Sequence, residues 1–269
     1  MNRTLKIGAT IVGIVFITAL LSFVWTPYDP IHAIAADRLQ GPSLKHLLGT
    51  DRYGRDVLST LMVGSRITLY VGLISVGIGA TFGTPLGVLA AVRGGWLEQV
   101  IMRGSDLLLA FPALLMAIVT GAMFGASTAS AMVAIGIATI PGFARVARAG
   151  TLQVLSRDYI LAAKLSKVSG PAIAFKHVLP NISGMLIVQC SVSFALAILA
   201  EAALSFLGLG TPPPDPSWGR MLHNAQASLS SAPELALWPG LAIALTVLGF
   251  NLLGDGLRDY FDPKTKERA

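Results

Sequence analysis

Six stretches of this chain, about 7–25, 69–92, 107–124, 127–144, 182–200 and 236–254, run without a single Asp, Glu, Lys or Arg. A hydrocarbon core of about 30 Å is crossed by roughly 20 helical residues, and a helix of that length satisfies its own backbone polar groups. No soluble core absorbs that much apolar surface: 54% of the 269 residues are hydrophobic and 13% charged, against about 25% charged in soluble domains. The stretches predict an all-α membrane protein with six transmembrane helices and both termini on one side. The net charge of +6 therefore informs on topology, not on nucleic acid, which is not an expected partner.

Lys and Arg set the orientation. With the N-terminus inside, 14 of the 20 basic residues fall on inner segments and 6 on outer ones. The inner set includes Arg93, Arg103, Arg145, Arg148, Arg157 and the C-terminal Arg258, Lys264, Lys266 and Arg268. Arg3, Lys6 and the "AIA" at 33–35 imitate a signal peptide, but the apolar run is too long and Pro-containing sequence separates it from that site. Both termini are expected in the cytoplasm. The division is 1–68 as a first helix with an outer segment, 69–256 as a five-helix core containing a cytoplasmic loop at 145–181, and 257–269 as a cytoplasmic tail.

Chemistry is scarce. Cys190 is the single cysteine, and the four histidines are scattered without ligand spacing, so no metal site is expected. There is no G-x-x-x-x-G-K-[ST], G-x-S-x-G or H-E-x-x-H. An intramembrane enzyme would need a base beside a nucleophile, and a proton-coupled carrier would need rows of buried charge. Neither pattern is present, so energy has to reach this chain from outside.

Inside the membrane, Gly79, Gly83 and Gly87 recur every four residues and form one smooth face for a neighbouring helix. Pro85, Pro112 and Pro141 each remove a backbone donor within or beside a span. Asp106 and Arg103 stand three apart and can pair along one helix face. Glu201, directly after the fifth run, can contact solute, pair with a neighbouring helix or reach the headgroups. The structural role is favoured.

Between the fourth and fifth runs lies "DYILAAKLSKVSGPAIAFKHVLP", residues 158–180. It reads as two short helices split at Gly170-Pro171, with Tyr159, Ala162, Ala163 and Leu165 on an apolar face and Lys164, Lys167 and Lys176 elsewhere. Two readings fit: docking in a partner's groove, or lysines resting on anionic lipid.

The same residues resemble the cytoplasmic EAA loop of binding-protein-dependent ABC importer permeases. Ala162, Ala163, Leu179 and Pro180 match that pattern, whereas Leu161 stands at its glutamate and Lys167 at its glycine. "HLLGTDRYGRDVLSTLMVGSRITL" (46–69), "EAALSFLGLGTPPPDPSWGRML" (201–222) and "LGFNLLGDGLRDYFDPK" (248–264) resemble the dipeptide, oligopeptide and nickel branch, in particular its second permease subunit.

The resemblance implies a type I importer permease fold in a bacterial cytoplasmic membrane, working by alternating access. It implies four partners besides membrane lipid: a second homologous permease, two ATP-binding subunits and an extracytoplasmic solute-binding protein. This chain would bind no cofactor, ATP-Mg belonging to the ATPases. Asp158, Tyr159, Leu161, Ala162, Ala163, Lys164, Lys167, Gly170, Pro171, Leu179 and Pro180 would form the coupling loop. With glycine absent at 167, the bend is expected to shift to Gly170-Pro171. Glu201, Ser205 and Trp218 are candidates for the pathway or outer mouth. The Pro-rich 211–216 stretch beside Trp218 reads as a ledge for the binding protein or a plain turn, and 46–67 as an interfacial helix on the outer surface. Short peptides are the expected cargo, with nickel, a metal chelate or another small solute as the alternative. A non-transporting scaffold is the reading from another class.

Overall fold

A computed structural model describes residues 3–261. Lys264, Lys266, Arg268 and the end of the 248–264 stretch lie outside the described residues. Nine helices account for the regular structure apart from short 3₁₀ turns, with no strand among the described residues. They are α1 Arg3–Val24, α2 Val57–Arg93, α3 Gly95–Ala110, α4 Ala113–Phe124, α5 Thr128–Leu155, α6 Asp158–Leu165, α7 Gly170–Phe206, α8 Trp218–Ala225 and α9 Glu234–Phe261. Five of them (α1, α2, α5, α7 and α9) are long and apolar enough to cross a bilayer alone. The sixth expected span, 107–124, falls on the pair α3–α4, bent by 84°. The break sits at Phe111-Pro112, where proline forces the preceding residue into the extended conformation it adopts, φ −84° and ψ 123°.

Two other prolines interrupt no helix. Pro85 follows a π-helical turn at Gly79–Gly83, and Pro180 follows another at Ala174–Val178. In an α-helix the proline ring meets the carbonyl four residues back; here those carbonyls, of Thr81 and Lys176, fall inside the widened turns. Both helices therefore continue through proline as 37-residue elements.

Small residues set the packing. A Cβ built on Gly79 would meet Thr139 Oγ1 at 2.3 Å, one on Gly83 the Ile140 carbonyl oxygen at 2.4 Å, and one on Gly87 that of Ala144 at 2.1 Å. The expected glycine face is thus the seam between α2 and α5. Gly8 lies equally close to the α9 backbone at Leu253, and Gly256 to Leu5, which clamps α1 along α9. Gly72 admits the ring of Phe194, which stacks on Phe250 with centroids 4.2 Å apart.

An interfacial helix over 46–67 does not form. Residues 44–56 are turns, and a helix starts at Val57 because the Asp56 side chain caps it, accepting from the Ser59 amide at 2.8 Å. That helix runs straight into the second span, so the division expected at 68 falls within α2. Residues 257–261 extend α9, and the rest of the expected tail lies outside the described residues. Asp106 is paired not with Arg103 but with Arg145 on α5, at 2.6 Å. A second bond in the same place joins Arg148 Nε to Glu98 at 2.6 Å, tying α3 to α5.

Candidate functional site

Leu5 against Gly256, Phe261 against Gly184 and Val92 near Gly170 gather the start of α1, the end of α9, the end of α2 and the hairpin at one end of the bundle. The hairpin is therefore on the same side as both described chain ends. Its first arm, α6, opens on Asp158, an acid at the positive end of the helix dipole. Ile160 is its anchor: fully buried, it packs in a cluster with Val88, Ala147, Val154, Ile173, Val178 and Ile182.

The bend lies at the expected glycine position after all. Lys167 has φ +58°, and the amide of Val168 reaches back to the Ala163 carbonyl at 3.1 Å, closing a Schellman motif that ends α6. This corrects the expectation of a bend at Gly170-Pro171. Gly170 opens α7, proline takes its favoured place in a first turn, and a Cβ on Gly170 would meet nothing closer than 4.0 Å. The arms touch again through Tyr159 and His177, whose ring centroids are 6.0 Å apart.

Ile160 is turned inward, and its neighbours Asp158, Tyr159, Leu161 and Ala162 are exposed, with Leu165 85% exposed. Leu161, in place of the glutamate, is 52% exposed and forms part of that apolar surface. Lys167 and Lys176 are exposed, as is Pro180, while Leu179 is half-buried against the Ile160 cluster. The result is an apolar ledge with Lys167 and Lys176 exposed beside it. Beside it, a cavity of about 790 Å³ runs between the α2 face at Ala80–Arg93 and Gly170, Pro171, Phe175 and Leu179.

At the opposite end Glu201 is 1% exposed, so it does not reach the headgroups. It accepts a hydrogen bond from Ser205 Oγ at 2.6 Å, and that hydroxyl in turn accepts from the Thr211 amide at 3.0 Å. The pair fastens the turn after α7 to its last helical turns. Trp218 is also buried: its indole N–H donates to the Leu61 carbonyl at 2.9 Å and its ring covers Gly64. It pins α8 to α2. Pro213, Pro214 and Asp215 are exposed and, with Pro216, line a recess of about 370 Å³ together with Arg52, Tyr53 and Arg220. Sequence reasoning missed the Arg52–Arg55 side of this recess, and the Asp56 cap, with Ser59 three residues on, is the signal that would have found the turn preceding α2.

Residues 83–267 match the family described as binding-protein-dependent transport system inner membrane component. A glutathione transport system permease protein, GsiD, of Pectobacterium atrosepticum is 46% identical over 89% of this chain and 80% of its own length. A dipeptide transport system permease protein, DppC, of Alkalihalophilus pseudofirmus is 42% identical over 98% and 87%. Among solved structures, an inward-facing MetNI methionine ABC transporter superposes with a TM-score of 0.60 at 19% identity, over 76% of this chain and 96% of that one.

Proposed function

This chain belongs to the family of binding-protein-dependent transport inner membrane components and is a permease subunit of an ABC importer in the inner membrane; from that premise we propose that its cargo is a short peptide. The observation that carries the proposal is that two relatives sharing 46% and 42% of its residues, over nearly the whole chain, are permeases for glutathione and for dipeptides. The chain functions with other subunits of the transporter, and the proposal extends to which they are and where each docks.

The α6 ledge seats in an ATPase subunit, with Tyr159, Leu161 and Leu165 filling an apolar cleft and Lys167 and Lys176 at its rim. The buried Ile160 anchor makes the hairpin a lever: force on the ledge passes into α2, α5 and α7 through the cluster it packs in. ATP-Mg binds and is hydrolysed in two such subunits, and this chain has no enzymatic part. A second, homologous permease covers the groove beside Phe175 and completes the pathway. The solute-binding protein docks over the Pro213–Pro216 recess. Both termini and the hairpin are cytoplasmic, in keeping with the excess of Lys and Arg on those segments.

The test is ATP hydrolysis by the reconstituted transporter with its own binding protein, loaded in turn with a dipeptide, glutathione, a longer peptide or a nickel chelate. Stimulation by one of the peptides is the expected result. Stimulation by the chelate alone would replace peptide with metal complex as the cargo.

A further inference from the structure

At the end of the bundle opposite the hairpin, Arg66 is held rigidly and left without a counter-charge. Its Nε donates to Ser22 Oγ at 2.6 Å, one terminal nitrogen donates to the Ser22 carbonyl, and its guanidinium carbon lies 4.1 Å from the centroid of the Phe23 ring. No carboxylate among the described residues pairs with it. A guanidinium carries five N–H donors, and these contacts leave the other terminal nitrogen free. Ser22 sits within one turn of the end of α1, so the charge lies near the membrane boundary, where an arginine side chain reaches the headgroup level.

From Arg66 an apolar groove of about 390 Å³ runs toward the bilayer centre between α1 and α2. Phe16, Leu20, Phe23, Ile67, Tyr70 and Leu73 form its walls. Leu73 is seven residues deeper than Arg66, about 10 Å along the helix. Only 22% of the most apolar window of α1 is buried, because α1 packs on α9 and α2 by one side and turns the other away from the bundle.

We propose that this groove is a phospholipid site in the leaflet opposite the hairpin, with the lipid phosphate on Arg66 and one acyl chain lying along α1 and α2. The two ends of the site match the two ends of that molecule. The free terminal nitrogen of Arg66 presents a charge-assisted donor to a phosphate oxygen, and the walls below it are aliphatic and aromatic. Bound lipid fills the cleft between the peripheral helix and the core and supplies the missing negative charge.

The test is native mass spectrometry of the full-length chain, purified with its co-purifying subunits, delipidated, and titrated with phosphatidylglycerol, phosphatidylethanolamine, diacylglycerol or inorganic phosphate. Both phospholipids are expected to add one molecule that diacylglycerol does not, with no competition from inorganic phosphate. Arg66→Gln is expected to weaken that binding by about tenfold, since one charge-assisted hydrogen bond is lost. Leu20→Trp, which fills the groove without touching Arg66, is expected to block it and keeps the test open where Arg66→Gln fails to assemble. Unchanged lipid binding in Leu20→Trp, equal binding of diacylglycerol, or full competition by inorganic phosphate would each overturn the assignment.

Discussion

Gly87 lies so close to Ala144 that a Cβ placed on it would fall 2.1 Å from the Ala144 carbonyl oxygen. The obstacle is backbone, not the tip of a movable side chain, so α2 and α5 would have to separate along their whole seam. Gly87→Ala is expected to lower stability by about 1–3 kcal/mol or more, the range for overpacking. Gly13→Ala is the control: nothing lies within 4 Å of a Cβ there, and the change is expected to be neutral or to gain up to about 1 kcal/mol of helix propensity. Thermal denaturation in detergent of both variants checks the pair, and equal melting temperatures would deny the tight seam.

Lys167 sustains a left-handed backbone, φ +58°, that glycine adopts freely. The left-handed conformation costs about 1–2 kcal/mol in a residue with a Cβ. Lys167→Gly is therefore expected to stabilise the hairpin by up to about 1 kcal/mol, offset by the freedom glycine adds to the unfolded chain. Lys167→Val, β-branched at positive φ, is expected to loosen it. Amide exchange at Val168, whose N–H closes the motif on Ala163, reads both changes directly: slower in the first, faster in the second.

Leu165 and Ile160 share one short helix and have opposite tasks. Leu165 is 85% exposed and Ile160 fully buried. Leu165→Glu is expected to leave the amount of chain in the membrane unchanged while reducing solute-stimulated ATP hydrolysis at least severalfold. Ile160→Ala removes three carbons from a packed cluster and is expected to cost about 2–5 kcal/mol, visible first as less folded protein. Full transport by Leu165→Glu would mean that the ledge is not where the ATPase docks.

Uncharged length and glycine spacing made the spans and the α2–α5 seam readable before any coordinates, because both are local properties of the chain. What escaped was decided between distant segments. Arg145 takes Asp106 from another helix, although Arg103 is nearer in sequence. Trp218 fills the space left by Gly64, over 150 residues earlier, a contact that no local pattern announces. The bend at Lys167 was misplaced for a different reason. Composition favoured Gly170-Pro171, but the 6→1 hydrogen bond from Val168 and the burial of Ile160 and Ile173 hold the turn where the helix runs out. The hairpin's role is harder still to read from this chain, since its exposed leucines acquire meaning only from the surface that meets them.

Asp37 supplies the pH dependence of the extramembrane loop. The Lys45 ammonium donates to both of its carboxylate oxygens, at 3.0 and 3.1 Å, and holds its pKa below the ordinary value of 3.8. Gln40 adds a further bond at 2.9 Å. Because the folded pKa is depressed, the contribution is fully present above the unfolded value and is lost as pH falls through the lower, folded one. The loop is thus expected to stay protected at pH 5 to 7 and to loosen only below about pH 4. Lys45→Met removes the principal cause of the shift, so loosening should begin at higher pH. Amide exchange at Thr50, whose N–H bonds the Gln40 carbonyl at 2.9 Å, follows the transition. The same pH profile in Lys45→Met as in the unaltered chain would show that the Asp37–Lys45 pair does not hold the loop.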